Sequence, residues 1–224
     1  TLLASSAASD VYKRQICTIE SMYEHIKFKN AINMRKANYD KFPSTKLTGM
    51  LVQGWDSIIS MLKKKMDARK VLAVDLYTGV YEEEVLDAFS KEFSGRVMNV
   101  RDLMKPEKEI QTLTERFMTE DVLFGYVTNL KLEDYLDADK VAAARKQISE
   151  AKETIVIIGT GAAVVAPQDA MVVYADMARW EIQQRFRRHE VKALGIDNRN
   201  DAVSLQYKRG YFNDWRVCDR YKER

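Results

Sequence analysis

Four short runs rich in β-branched residues, Lys70-Val-Leu-Ala-Val-Asp75, Arg96-Val-Met-Asn-Val100, Thr154-Ile-Val-Ile-Ile158 and Ala170-Met-Val-Val-Tyr174, alternate with stretches of helical periodicity. That alternation constrains the chain to parallel strands joined by crossover helices. Trp55, Ile58, Ile59, Leu62 and Met66 fall on one face of a helix over 53–69, with Lys63, Lys64 and Lys65 near its carboxyl end. The lysines read as a solvated face, with a phosphate site as the alternative. Further helices are expected over 82–93, 107–117, 139–150 and from Asp176 to about Val191, and a last one over 201–224, weakened at Gly210. Val122 to Thr128 is apolar enough for a short strand or a buried loop. The expected fold is a doubly wound, mainly parallel α/β domain.

A chain of 224 residues, 46% hydrophobic and 31% charged, can bury a real core. Its 36 basic and 33 acidic residues leave a net charge of only +3, so composition makes no case for nucleic acid or an anionic membrane. The longest apolar run, Ile155 to Ala166, is interrupted by Gly159, Thr160 and Gly161 and is too short to span a bilayer. Cys17 and Cys218 match no metal or redox spacing, and a cytoplasmic location is expected. Asp10-Val-Tyr-Lys-Arg-Gln15 resembles the translation of a sequencing-library adapter. Residues 1–33 therefore read as a non-native leader, and a native start is expected near Met34, ahead of one domain over 34–224.

The turn after the first run reads Asp75-Leu-Tyr-Thr-Gly-Val-Tyr-Glu82. A phosphate loop, GxxxxGK(S/T), surrounds a polyphosphate with backbone N–H groups and adds an ammonium and a magnesium-binding hydroxyl. Here one glycine, Gly79, stands with Thr78, no lysine is present, and the helix opens with Glu82, Glu83 and Glu84. Those acids suit the positive end of the helix dipole and repel phosphate. Gly159, Thr160 and Gly161 form a second turn, read as structural, with an anion or ligand site as the alternative. Asp75 and Asp176 stand at strand ends, where open α/β sheets bind ligands, yet each also reads as a helix cap. Arg179, Arg185, Arg187 and Arg188 share one helix and suit either phosphate clamping or local ion pairs, such as Glu181 with Arg185. His189 is the sole histidine after Met34, and neither a zinc triad nor a Ser/His/Asp set is assembled from the sequence. Tyr207, Tyr211, Phe212 and Trp215 read as a packing face.

In the order of its elements the chain resembles the uridine kinase and phosphoribulokinase branch of the phosphate-loop fold. Val71 to Phe89 takes the place of the loop and first helix, and Met171 to Arg188 that of the strand and arginine-bearing helix. The missing lysine and hydroxyl put phosphoryl transfer in doubt. More specifically, Asn38-Tyr-Asp-Lys-Phe-Pro43, Gln53-Gly-Trp55, Val74-Asp-Leu-Tyr-Thr-Gly-Val80 and Tyr174-Ala-Asp-Met-Ala-Arg-Trp-Glu-Ile-Gln183 resemble the amino-terminal region of long mannose-6-phosphate isomerases of the Bacteroides type. The resemblance implies a non-catalytic accessory domain ahead of a zinc-bearing cupin, which is its expected partner and is cut off after Arg224. The alternatives are a nucleoside or sugar kinase that borrows a cation such as Lys105 or Arg179, and a module that binds a nucleotide or sugar phosphate through Asp75, Thr78, Gly79, Gly159, Thr160, Gly161, Asp176 and Arg179.

Overall fold

The computed structural model describes residues 44, 46, 48, 49, 51–66 and 69–223. The adapter-like leader, the start near Met34, Cys17 and the Asn38 to Pro43 motif lie outside them. Contacts divide the chain into residues 1–50 and 51–224, and the architecture below is that of the second unit.

Its elements run α1 (Trp55–Met66), β1 (Val71–Leu76), α2 (Glu82–Glu92), β2 (Arg96–Asn99), α3 (Glu107–Met118), α4 (Ala138–Glu150), β3 (Ile155–Gly159), the single turn α5 (Ala162–Val165), β4 (Met171–Ala175), α6 (Arg179–Arg187), α7 (Val203–Arg209) and α8 (Trp215–Lys222). The four strands form one sheet in the order β2-β3-β1-β4, parallel at every pairing. The expected α/β fold is therefore present, with the strand order of a kinase-like doubly wound sheet.

The two faces of the sheet follow directly from strand alternation. Leu72, Val74 and Leu76 of β1 and Val156 and Ile158 of β3 pack with Ile59, Leu62, Val85 and Phe89, so α1 and α2 cover that face. Val71 and Ala73, with Ile155 and Ile157, point to the other face and join a core that includes Ile110, Val141, Ile182 and Trp215 from α3, α4, α6 and α8. Because both faces are covered, Val71 to Val74 of β1 and Ile155 to Ile158 of β3 read as unbroken apolar runs. The edge strand β4 is only half covered, and Val172 and Tyr174 remain exposed.

Local signals set the helix ends. Asp137 caps α4 by accepting from the amides of Asp139 and Lys140 at 3.0 and 3.1 Å. Replacing Asp137 with alanine is expected to cost about 1 kcal/mol in urea denaturation, the usual loss for a side-chain cap.

One expectation needs correction. Residues 122–127 form neither a strand nor a buried loop, since Val122, Leu123, Phe124, Tyr126 and Val127 are each more than half exposed. The reason is local: Asp121 accepts from the amides of Leu123 and Phe124, and Lys208 donates to the carbonyls of Thr119 and Asp121. The backbone is satisfied without a sheet, and Gly125 takes the inner position, close against Phe212. The final helix runs on from Val203 to Lys222 as expected, and its geometry changes at the expected weak point. Residues Gly210–Asp214 form a π turn between α7 and α8. Gly210 lies against Trp215 and Phe186, where a Cβ would come within 3.0 Å of the indole.

Candidate functional site

The carboxyl ends of β1 and β3 meet the start of α2, which is where an open α/β sheet binds its ligand. Asp75 has the same strand parity as Val71 and Ala73 and is buried. Its carboxylate accepts from the backbone N–H of Gly161 at 3.0 Å and of Ala163 at 2.9 Å, and from the hydroxyl of Tyr221 on α8. Gly161 has φ +95°, a left-handed conformation that favours glycine, and this turns its amide toward Asp75. The Gly159 to Gly161 turn presents one amide, that of Gly161, to the chain's own carboxyl, and Ala163 in α5 adds the second. Asp75 does not cap the helix that follows it in sequence but the turn after β3. Burial raises its pKa, and the three hydrogen bonds oppose that rise without cancelling it.

The loop after β1 is clamped from α6. Arg185 donates to the Gly79 carbonyl at 2.7 Å, and its guanidinium stacks over the Tyr81 ring at 3.6 Å. Gly79 has φ +94° and lies so close to α6 that a Cβ would come within 2.8 Å of Ile182. Thr78 is buried. Tyr81 donates to Glu190, which is also paired with Arg188 at 2.8 Å.

Two cations that sequence reasoning did not single out reach this loop. Arg101, just after β2, pairs with Glu82 at 3.0 Å, and Lys192, beyond α6, pairs with Glu83 at 2.6 Å. The hydrogen bond from Lys192 lowers the Glu83 pKa. Thr78, Gly79, Thr160, Arg101 and Lys192 line one cavity of about 30 Å³, room for a water molecule or two. Small-molecule pockets run to about 300–1,000 Å³.

The remaining residues expected at a site are drawn elsewhere. Arg179 donates to the Tyr77 hydroxyl at 2.9 Å and pairs with Asp219 at 3.1 Å, and it stacks over Trp215. Burial, and then the bond to Asp219, holds the Tyr77 phenol far above its ordinary range. Asp176 pairs with Lys222, which lowers its pKa, and it accepts from its own neighbour Met177 rather than capping α6. Glu181 pairs with both Arg185 and Arg188. Gly159, with φ +133°, packs against Val100. Lys105 is not among the residues lining that cavity, and its backbone N–H donates to the Tyr135 carbonyl at 2.9 Å. The only advance signal for Arg101 and Lys192 was three consecutive glutamates in need of countercharge.

Fold and loop together define an α/β domain with kinase-like strand order whose phosphate-loop position is packed with its own side chains. The chain belongs to the family described as a domain of unknown function, DUF8485, whose model matches residues 54–224. No curated protein matches it. Among the described residues no helix is long and apolar enough to cross a membrane, and no group of three or more His, Cys, Asp or Glu side chains is placed to hold a metal ion.

Proposed function

We propose that the chain is a non-catalytic, kinase-like accessory domain that accompanies a sugar-phosphate isomerase of the mannose-6-phosphate isomerase kind. The observation that carries the non-catalytic half is the closed loop: Arg101 and Lys192 are held by Glu82 and Glu83, and the adjoining turn amides are held by Asp75. A bound triphosphate would have to break both ion pairs in a cavity of about 30 Å³. The accessory half rests on sequence motifs. Two of them, Val74 to Val80 and Tyr174 to Gln183, form the loop and the helix that closes it, where Ile182 packs onto Gly79. Zinc and the proton transfer between sugar carbons belong, in this reading, to the following cupin that the motif resemblance implies.

The kinase reading draws on one specific observation, that Arg101 and Lys192 do line the loop. A direct assay separates the two. The purified chain, given magnesium and ATP with a panel of nucleosides and hexoses, is expected to release no ADP above the blank, and mannose 6-phosphate is expected to remain unisomerised. Magnesium-dependent turnover of any panel member would overturn the non-catalytic reading. The accessory role has its own test in the coding sequence past Arg224, which is expected to encode a cupin with clustered histidines and a glutamate; an immediate stop codon would remove it.

A further inference from the structure

A cavity of about 990 Å³ opens at the opposite end of the sheet, where β1 and β3 begin. Lys65, Arg69, Lys70 and Arg145 line it, together with the two acids Glu153 and Asp169. Arg145 donates to the carbonyl of Val164 at 2.7 Å, and none of the four cations is ion-paired among the described residues. The contrast with the loop end is sharp, since the two cations lining that cavity each have a carboxylate partner. A second cavity of about 340 Å³, near Gly95 and Thr154, shares Met66 and Arg69 as walls, so the opening extends as a groove along the edge where strands start. Its floor is apolar in places, with Ile148, Val165 and Pro167.

We infer that this groove is a docking surface for an acidic peptide segment, carrying apolar side chains, of a separate protein partner. Charge complementarity selects the sign of the ligand, because exposed cations that are not ion-paired among the described residues give up no ion pair there on binding. The extended shape suits a length of chain better than a compact hexose phosphate. Among the described residues no aromatic ring lines the larger cavity to stack a base, so its lining gives a single-stranded nucleic acid no stacking platform. The apolar floor offers contacts that a leucine or isoleucine would use. The inference stands apart from the proposed accessory role and does not depend on what the loop end binds.

The test is fluorescence anisotropy on the full chain with three probes: a labelled short peptide alternating Glu or Asp with Leu or Ile, the same peptide with Lys for each acid, and oligothymidylate. Saturable binding of the acidic peptide is expected, with neither of the other probes binding. Reversing two surface charges in Lys65→Glu/Lys70→Glu is expected to weaken it about tenfold, several small exposed-pair contributions together. The control Lys108→Glu/Lys131→Glu, with the same change in net charge elsewhere, is expected to leave it unchanged. Absence of saturable binding, equal losses in both variants, or tighter binding of the oligonucleotide would each overturn the inference.

Discussion

Replacing Asp214 with alanine is expected to destabilise the fold by about 3–5 kcal/mol, the range for removing one partner of a buried ion pair. Arg209 and Asp214 have side-chain exposures of 7% and 2%, and their Nε and Oδ1 atoms lie 3.6 Å apart. In a regular helix residues five apart point well away from each other, whereas the π turn over Gly210–Asp214 brings the two onto one side. Asp214 also accepts from the Leu194 amide at 3.1 Å. Burial raises the Asp214 pKa, and the Arg209 charge opposes that rise. Truncation would leave a buried guanidinium held only by its bond to Thr114, and a buried amide with nothing to donate to. At 3.6 Å the pair is too long for a hydrogen bond, so replacing both residues by apolar ones, Arg209→Met with Asp214→Leu, is expected to restore most of the loss. Equilibrium denaturation in urea measures all three proteins; a loss below about 1 kcal/mol in the single variant would show that the pair contributes little.

Asp75→Ala is the second large effect, expected at about 3 kcal/mol, because it leaves the Gly161 and Ala163 amides and the Tyr221 hydroxyl without their acceptor. The loss should appear as loosening of α8 as well as lower stability, since Tyr221 ties that helix to the sheet. Asp75→Asn is expected to cost less: its carbonyl oxygen still accepts, and no charge is buried. The sign of the pH dependence follows from the raised pKa. The folded carboxyl keeps its proton at a pH where the unfolded one, with a value of about 3.9, has lost it. Its contribution is therefore complete below the unfolded value and is lost as pH rises through the folded one. The stability gap between the native chain and Asp75→Asn should narrow across that window. A gap that widens with rising pH would mean that the ionised form is the one the fold favours.

Much of the fold is visible in the sequence because a parallel sheet covered on both faces leaves unbroken apolar runs, as at Val71 to Val74 and Ile155 to Ile158. The placement of Asp75 at a strand end and the acidic start of α2 are visible for the same reason. What fills the loop end is not. Tyr221 meets Asp75 across 146 positions, Lys192 meets Glu83 across 109, and no local pattern encodes such a meeting. The loop over 122–127 shows the converse, in that apolar composition suggested burial but gave no periodicity to say which side faces inward. Its large apolar side chains stay exposed while Asp121 and Lys208 satisfy the backbone and Gly125 sits close against Phe212. The π turn was legible only as a weak point at Gly210.

The central claim, that the phosphate-loop position is closed by the chain's own charges, is tested most directly by calorimetric titration with ATP in the presence of magnesium. The account predicts no saturable heat at millimolar nucleotide, in the native chain and in Arg101→Gln and Lys192→Gln alike. Saturable, magnesium-dependent binding that either substitution abolishes would contradict it.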